Sequence, residues 1–124
     1  MPQSELSQAV EKIVAGGLFP VLLGGGHDIA WGHYDWIIKT LSRKPASQAC
    51  TTVGIINSDA HFDLRPYKDD GNSGSSFLQI ADHCREAGEE FSYFCVGIQR
   101  SANTNSLFQT ADELGVTLRN GQGD

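Results

Sequence analysis

Three side chains that commonly bind metal ions follow a run of strand-forming apolar residues near the middle of the chain. Asp59, His61 and Asp63 come directly after residues 53–58. In a continuing strand these three side chains would share one face, because residues i, i+2 and i+4 point the same way. Two carboxylates and an imidazole on one face indicate a metal site.

The reach of an extended chain excludes a straight strand through this motif. At about 3.3 Å per residue, Asp59 and Asp63 would lie roughly 13 Å apart. Two cooperating metal ions lie only about 3.5–4 Å apart. We therefore expect the strand to end near Asp59 or Ala60, with His61 and Asp63 in a loop that folds back over its end.

The turn that ends in His27, after three consecutive glycines, is a second candidate for metal binding. Glycine permits positive φ and close backbone approach, so the turn can present His27 at a strand tip. A histidine in a turn is more often plain polar surface. Together with Asp59, His61 and Asp63 it makes a mixed nitrogen and oxygen site, which suits manganese, iron or zinc better than magnesium or calcium.

Phosphate binding is the alternative use of a glycine-rich turn before a helix. The turn lacks the Gly-Lys-Ser/Thr ending of a P-loop and the spacing of a dinucleotide fingerprint. The sequence therefore supports a nucleotide-binding unit only weakly.

Polar residues after the metal motif are candidates for substrate binding. The planar fork of Arg65 matches a carboxylate, although an arginine that neutralises Asp63 or Asp69 is an equally good interpretation. Asn72 and Ser73 could donate hydrogen bonds to a polar ligand, or could belong to a solvated turn.

Composition limits the class of protein. The 124 residues, 40% of them hydrophobic, can bury one modest core. A net charge of −6 argues against nucleic acid or an anionic membrane as partner. Three cysteines without a Cys-x-x-Cys pair fit neither a disulfide framework nor a zinc ribbon. With no signal-peptide pattern or membrane-spanning apolar run, we expect a cytoplasmic protein.

Helices and strands alternate in the predicted structure. The helices are predicted from Ser4 to Gly16, over 29–41, from Ser75 or Ser76 to Gly88, and over 103–114; the strands over 18–23, 53–58, 91–98 and 116–118. This order predicts a mostly parallel sheet with helices on both faces and right-handed crossovers. Ligands of such sheets bind beyond the carboxyl ends of the strands, where both candidate segments fall.

The two segments resemble known motifs. Residues 24–28 (Gly-Gly-Gly-His-Asp) and 59–63 (Asp-Ala-His-Phe-Asp) resemble the first two signature motifs of the ureohydrolases, the arginase and agmatinase superfamily. Within that superfamily, residues 27–32, 56–66 and 72–80 are most similar to the formimidoylglutamase family.

The resemblance implies a three-layer α/β/α, arginase-like fold and two Mn²⁺ ions per complete site. It assigns His27 and Asp63 to one ion, His61 to the other, and Asp59 to a bridge between them, with Asp63 also a catalytic residue. The implied reaction is hydrolysis of N-formimidoyl-L-glutamate to L-glutamate and formamide, in histidine degradation.

The resemblance also has gaps. Arginases and agmatinases carry a proton-transfer histidine in the loop after the second motif. This chain has Ser73 and Gly74 there, and the formimidoylglutamase family also lacks that histidine. The third motif, Ser-x-Asp-x-Asp-x-x-Asp-Pro, which supplies the second bridging aspartate, does not occur in these residues. We therefore expect residues 1–124 to form a single partial, truncated ureohydrolase domain that holds one Mn²⁺ or none by itself.

Several alternatives stay open at this stage. The chain could be a non-catalytic metal-binding or subunit-interaction fragment, or part of another ureohydrolase such as an agmatinase or arginase. We expect a small-molecule substrate and neither nucleic acid nor membrane as partner. Homo-oligomerisation is left open.

Overall fold

The computed structural model describes residues 3–43, 52–69 and 71–119. The elements follow the predicted order apart from the first strand. They are α1 (Gln3–Ala15), α2 (Ile29–Ser42), β1 (Gly54–Ser58), α3 (Ser76–Ala87), β2 (Ser92–Val96), α4 (Asn105–Glu113) and β3 (Thr117–Arg119), with a short 3₁₀ turn at Arg100–Ala102 before α4.

The three strands form one parallel sheet in the order β1-β2-β3. Asn57 of β1 lies opposite Cys95 of β2, and Ile55 lies opposite Tyr93. Tyr93 and Cys95 are buried, as is Asn57, so these alternate residues mark the inner face of the sheet. The predicted parallel α/β arrangement is confirmed for the described residues.

Helix α3 shows how the sequence fixes an element that supports the site. Phe77, Ile80, Ala81 and Cys84 recur at helical spacing, and all are buried. Gly88 ends the helix with φ of +68°, a left-handed conformation that costs glycine little. The stripe packs into a core that α2, α4 and the inner face of the sheet share.

The strand predicted over 18–23 is wrong. No strand lies there, and four apolar side chains of the segment, those of Leu18, Phe19, Val21 and Leu23, are 66–90% exposed. A strand needs a neighbour to pair its backbone N–H and C=O groups. None of the described residues pairs with this segment, so a compact apolar run alone was insufficient evidence for a strand.

β1 is an edge strand among the described residues, and its outer face is open. Ile56, on the face opposite Ile55 and Asn57, is 78% exposed. A cavity of about 430 Å³ runs beside β1, with Leu22 and Ile37 among its lining residues, and reaches His27. None of the helices in the described residues is long and apolar enough to span a membrane.

Two isoleucines of contrasting exposure test this packing. Ile80→Ala should lower the free energy of unfolding by about 2–5 kcal/mol, because Ile80 is 1% exposed within the core. Ile56→Ala should cost less than about 1 kcal/mol, since only strand propensity is lost. Urea unfolding of both variants measures the difference. The chain is kept dilute enough to be monomeric, and equal losses there would contradict the exposure of Ile56.

Candidate metal centre

The loop after β1 curls as the sequence predicted. The strand ends at Ser58, and Asp63 has φ of +49°, in the left-handed region that few residues other than glycine adopt. Aspartate tolerates this region better than most residues. Phe62 and Leu64, both fully buried, anchor the loop on either side of Asp63.

The glycine turn brings His27 to the same edge of the sheet. Gly24 and Gly25 have φ of +90° and +77°, which explains two of the three glycines. At Gly26 an added Cβ would lie 2.9 Å from the Cβ of Ser73, so the approach of the 71–76 loop requires a glycine there. The hydroxyl of Ser76 then donates to the carbonyl oxygen of His27, at 2.8 Å.

Three of the four predicted ligands come together. His27 Nδ1 lies 2.5 Å from Asp63 Oδ2 and 3.7 Å from Asp59 Oδ2. One ligand atom from each of these residues lies within 4.8 Å of the others. His61 is not part of this group, and its side chain is 50% exposed.

Asp59 links His61 to the group. Its Oδ1 accepts a hydrogen bond from the backbone N–H of His61, at 2.8 Å, and lies 3.1 Å from His61 Nδ1. Its Oδ2 faces His27. The two oxygens of one carboxylate thus face two different imidazoles, which is the arrangement that a bridging ligand requires.

The donor set fits a divalent transition metal. One imidazole nitrogen and carboxylate oxygens from two residues suit manganese, iron or zinc better than calcium or magnesium. The side chains of His27 and Asp59 are 34% and 33% exposed, so an ion can reach them from solvent. The side chain of Asp63, 13% exposed, forms the floor of the site.

The two carboxylates have opposite pKa shifts. Burial raises the pKa of Asp63, and the nearby charge of Asp59 raises it further, although its hydrogen bond with His27 acts the other way. Burial also acts to raise the pKa of Asp59, but hydrogen bonds from His61 and the charge of His27 outweigh it and lower that pKa. Asp59 is therefore the carboxylate that stays ionised to lower pH.

The candidate substrate-binding residues border the same edge. The backbone N–H of Arg65 donates to the carbonyl oxygen of Gly74, at 2.8 Å. Arg65 is exposed, and the ion pairs of the described residues include none between it and Asp63 or Asp69. Asn72 closes its own turn by accepting from the N–H of Gly74, and Ser73 lies beside Gly26.

Two other histidines lie away from the ligand group. His33 is half-buried beside the cavity, and burial lowers its pKa. The ring of His83 packs against Trp31 and Tyr34, because α3 lies against α2.

Sequence reasoning did not single out the polar residues that hold the loop after β1. Asn57 and Tyr93 are buried and hydrogen-bonded to each other, and Asn103 bonds the loop from the connection that precedes α4. A polar residue at an inward position of an apolar strand, such as Asn57, was the available signal.

The raised pKa of Asp63 predicts how stability depends on pH. The folded chain binds this proton more tightly than the unfolded chain, so the stabilisation that protonation provides is lost as pH rises through the folded pKa. Asp63→Asn removes this titration. Its free energy of unfolding relative to wild type should therefore be higher at pH 7 than at pH 4, measured by urea unfolding with a chelator present.

Asp112→Asn, on the exposed side of α4, is the matched control for replacing a carboxylate by an amide. If the free energy of unfolding of Asp63→Asn relative to wild type decreases as the pH rises, the raised pKa of Asp63 is contradicted.

Comparisons with known proteins agree with the motifs. The family model described as "Arginase family" matches residues 2–122. The chain is 46% identical over 118 residues to a formimidoylglutamase of Clostridium tetani, covering 92% of this chain and 33% of that protein. It is 47% identical over 118 residues to a formimidoylglutamase of Fusobacterium nucleatum, covering 93% and 35%. The chain thus spans about a third of the length of these relatives.

Solved structures share the fold. A Trypanosoma cruzi formiminoglutamase with two Mn²⁺ ions superposes with a TM-score of 0.73 at 25% identity, over 95% of this chain and 37% of that one. A Bacillus subtilis formimidoylglutamase gives 0.71 at 21% identity, over 95% and 34%. These structures confirm the arginase-like α/β fold. With a family model that matches nearly its whole length, the chain belongs to the arginase family.

Proposed function

We propose that this chain supplies part of the active site of a Mn²⁺-dependent formimidoylglutamase, which hydrolyses N-formimidoyl-L-glutamate to L-glutamate and formamide. The observation that carries the proposal is the position of Asp59, with one carboxylate oxygen toward His27 and the other toward His61. The identity to formimidoylglutamases, 46–47%, supports this substrate over arginine or agmatine.

In this proposal His27 and Asp63 would hold one Mn²⁺, His61 would hold the second, and Asp59 would be shared between them. When bound, the metal pair supplies a water of lowered pKa and a positive field at the reacting carbon. Further ligands must come from carboxylates outside these residues. The low pKa of Asp59 keeps it available as a ligand over a wide pH range.

Side chains beside the metal ligands would bind and orient the substrate. Arg65, exposed and unpaired with either nearby aspartate, is the candidate partner for a substrate carboxylate. Asn72 and Ser73 would hydrogen-bond the amino acid portion. Hydrolysis breaks the bond between the formimidoyl carbon and the glutamate nitrogen, which must gain a proton, and Asp63 is our candidate to carry it, since one carboxylate oxygen can accept a hydrogen bond while the other binds the ion.

The proposed setting is histidine degradation in the cytoplasm. The described cysteines, Cys84 and Cys95, are buried free thiols, which suits a reducing compartment. Burial raises the pKa of Cys95, so its thiol stays protonated and unreactive.

A chimaera tests the proposed activity. Residues 2–122 would replace the matching third of the Clostridium tetani relative, and formamide release from N-formimidoyl-L-glutamate would be measured with and without Mn²⁺. We expect Mn²⁺-dependent release. In the chimaera, Asp59→Asn should reduce the rate by more than the roughly 10–100-fold that loss of an outer-shell partner costs.

Asp112→Asn is the control, since this residue is exposed on α4, and circular dichroism checks that each chimaera is folded. Faster Mn²⁺-dependent hydrolysis of L-arginine or agmatine would reject formimidoylglutamate as the substrate. An Asp59→Asn chimaera as active as its parent would reject the metal assignment.

A subunit-interaction fragment is a second candidate, favoured by one observation. β1 has an open edge among the described residues, and the apolar side chains of Ile56 and Leu23 are 78% and 90% exposed. An open strand edge beside exposed apolar residues favours pairing with another strand. We propose that a second copy of the chain covers this face when the chain is alone.

Light scattering across a concentration series tests the association. We expect a dimer that Ile56→Lys converts to a monomer, because the lysine places a charge on the paired face. Arg119 lies on β3 at the opposite edge, and Arg119→Ala, as the control, should leave the dimer intact. A wild-type chain that stays monomeric at every concentration would contradict this candidate.

A further inference from the structure

Three polar side chains from different parts of the chain form hydrogen bonds with the backbone of the metal loop, which comprises residues 59–63. They are Asn57 on β1, Tyr93 on β2 and Asn103 in the connection before α4, and we call them the loop clamp. None of their hydrogen bonds in the described structure goes to the side chain of a predicted metal ligand. Each bonds main-chain groups of residues 60–62, between Asp59 and Asp63.

Asn57 and Tyr93 hold the loop from the inner face of the sheet. Asn57 Nδ2 donates to the carbonyl oxygen of His61, at 3.2 Å, and to the hydroxyl of Tyr93, at 2.9 Å. That hydroxyl donates in turn to the carbonyl oxygen of Phe62, at 3.0 Å. Asn57 is 4% and Tyr93 3% exposed, so water does not compete for these bonds.

Asn103 holds the loop from the other side. Its Nδ2 donates to the carbonyl oxygens of Ala60, at 2.7 Å, and Gln99, at 2.8 Å. Its Oδ1 accepts from the backbone N–H of Phe62, at 3.1 Å. One side chain therefore satisfies a donor and an acceptor of the loop and also connects the loop to Gln99, in the segment that follows β2.

The loop needs this restraint because its conformation is unfavourable by itself. Asp63 has φ of +49°, and such strained residues persist only where surrounding contacts fix them. An unrestrained loop would lose the placement of Asp59 and Asp63 around His27. Metal ligands held in place before binding cost less ordering entropy when the ion arrives.

We infer that the loop clamp, and Asn103 above all, positions the metal loop and thereby sets the affinity of the site for Mn²⁺. The inference rests on the proposed metal-binding function. Asn103 is a positioning residue that acts through the backbone of residues 60–62. The segment before α4, which is distant from the motifs in sequence, thereby affects the metal site through Asn103.

Calorimetric titration of the chain with Mn²⁺ alone tests the inference, at a temperature where circular dichroism shows every variant folded. Asn103→Ala should weaken Mn²⁺ binding by about 10–100-fold, as outer-shell substitutions do. Tyr93→Phe, which removes only the hydroxyl that bonds Phe62, should weaken binding in the same direction. Asn105→Ala, the same change at an exposed position of α4, should leave binding unchanged.

Val10→Ala separates positioning from stability. Val10 is fully buried on α1 and lies outside the core cluster that contains Phe62, so the change should lower the melting temperature and leave Mn²⁺ affinity unchanged while the chain is folded. If Asn103→Ala lowers only the melting temperature and binds Mn²⁺ like wild type, the clamp is merely structural and the inference fails. If the wild-type chain binds no Mn²⁺, the inference fails, whereas the proposed function is decided separately by the chimaera assay.

Discussion

The carboxylate of Asp59, shared between His27 and His61, is the interaction on which the site depends. It exists because β1 stops at Ser58 and the loop curls instead of extending. The curl places Asp63 Oδ2 2.5 Å from His27 Nδ1. In an extended chain Asp63 would instead lie roughly 13 Å from Asp59. The parallel strands, the glycine turn and the N-terminal end of α3 all serve to hold this short segment.

The surroundings of the two carboxylates shift their pKa values in opposite directions. Asp59, partly exposed and hydrogen-bonded to His61, has a lowered pKa and remains a ready anionic ligand. Asp63, more deeply buried, has a raised pKa and holds its proton to higher pH. Adjacent carboxylates whose surroundings push their pKa values apart are typical of sites that combine ligand binding with proton transfer.

Much of this could be predicted from the sequence, because local pattern carries it. The helices, the strand before Asp59 and the loop curl follow from spacing, glycines and chain reach. The strand over 18–23 could not be decided locally, since strand formation depends on a neighbour and apolar content does not reveal one. The loop clamp was missed for a related reason: Asn57, Tyr93 and Asn103 meet only after β1, β2 and the connection before α4 have packed together.

The most direct test of the account is a crystal structure of the chain soaked in Mn²⁺, with anomalous difference density locating the ions. We expect a peak within coordination distance of His27, Asp59 and Asp63, and any second peak between Asp59 and His61. Ions bound elsewhere, with the hydrogen bond between His27 and Asp63 retained, would contradict it.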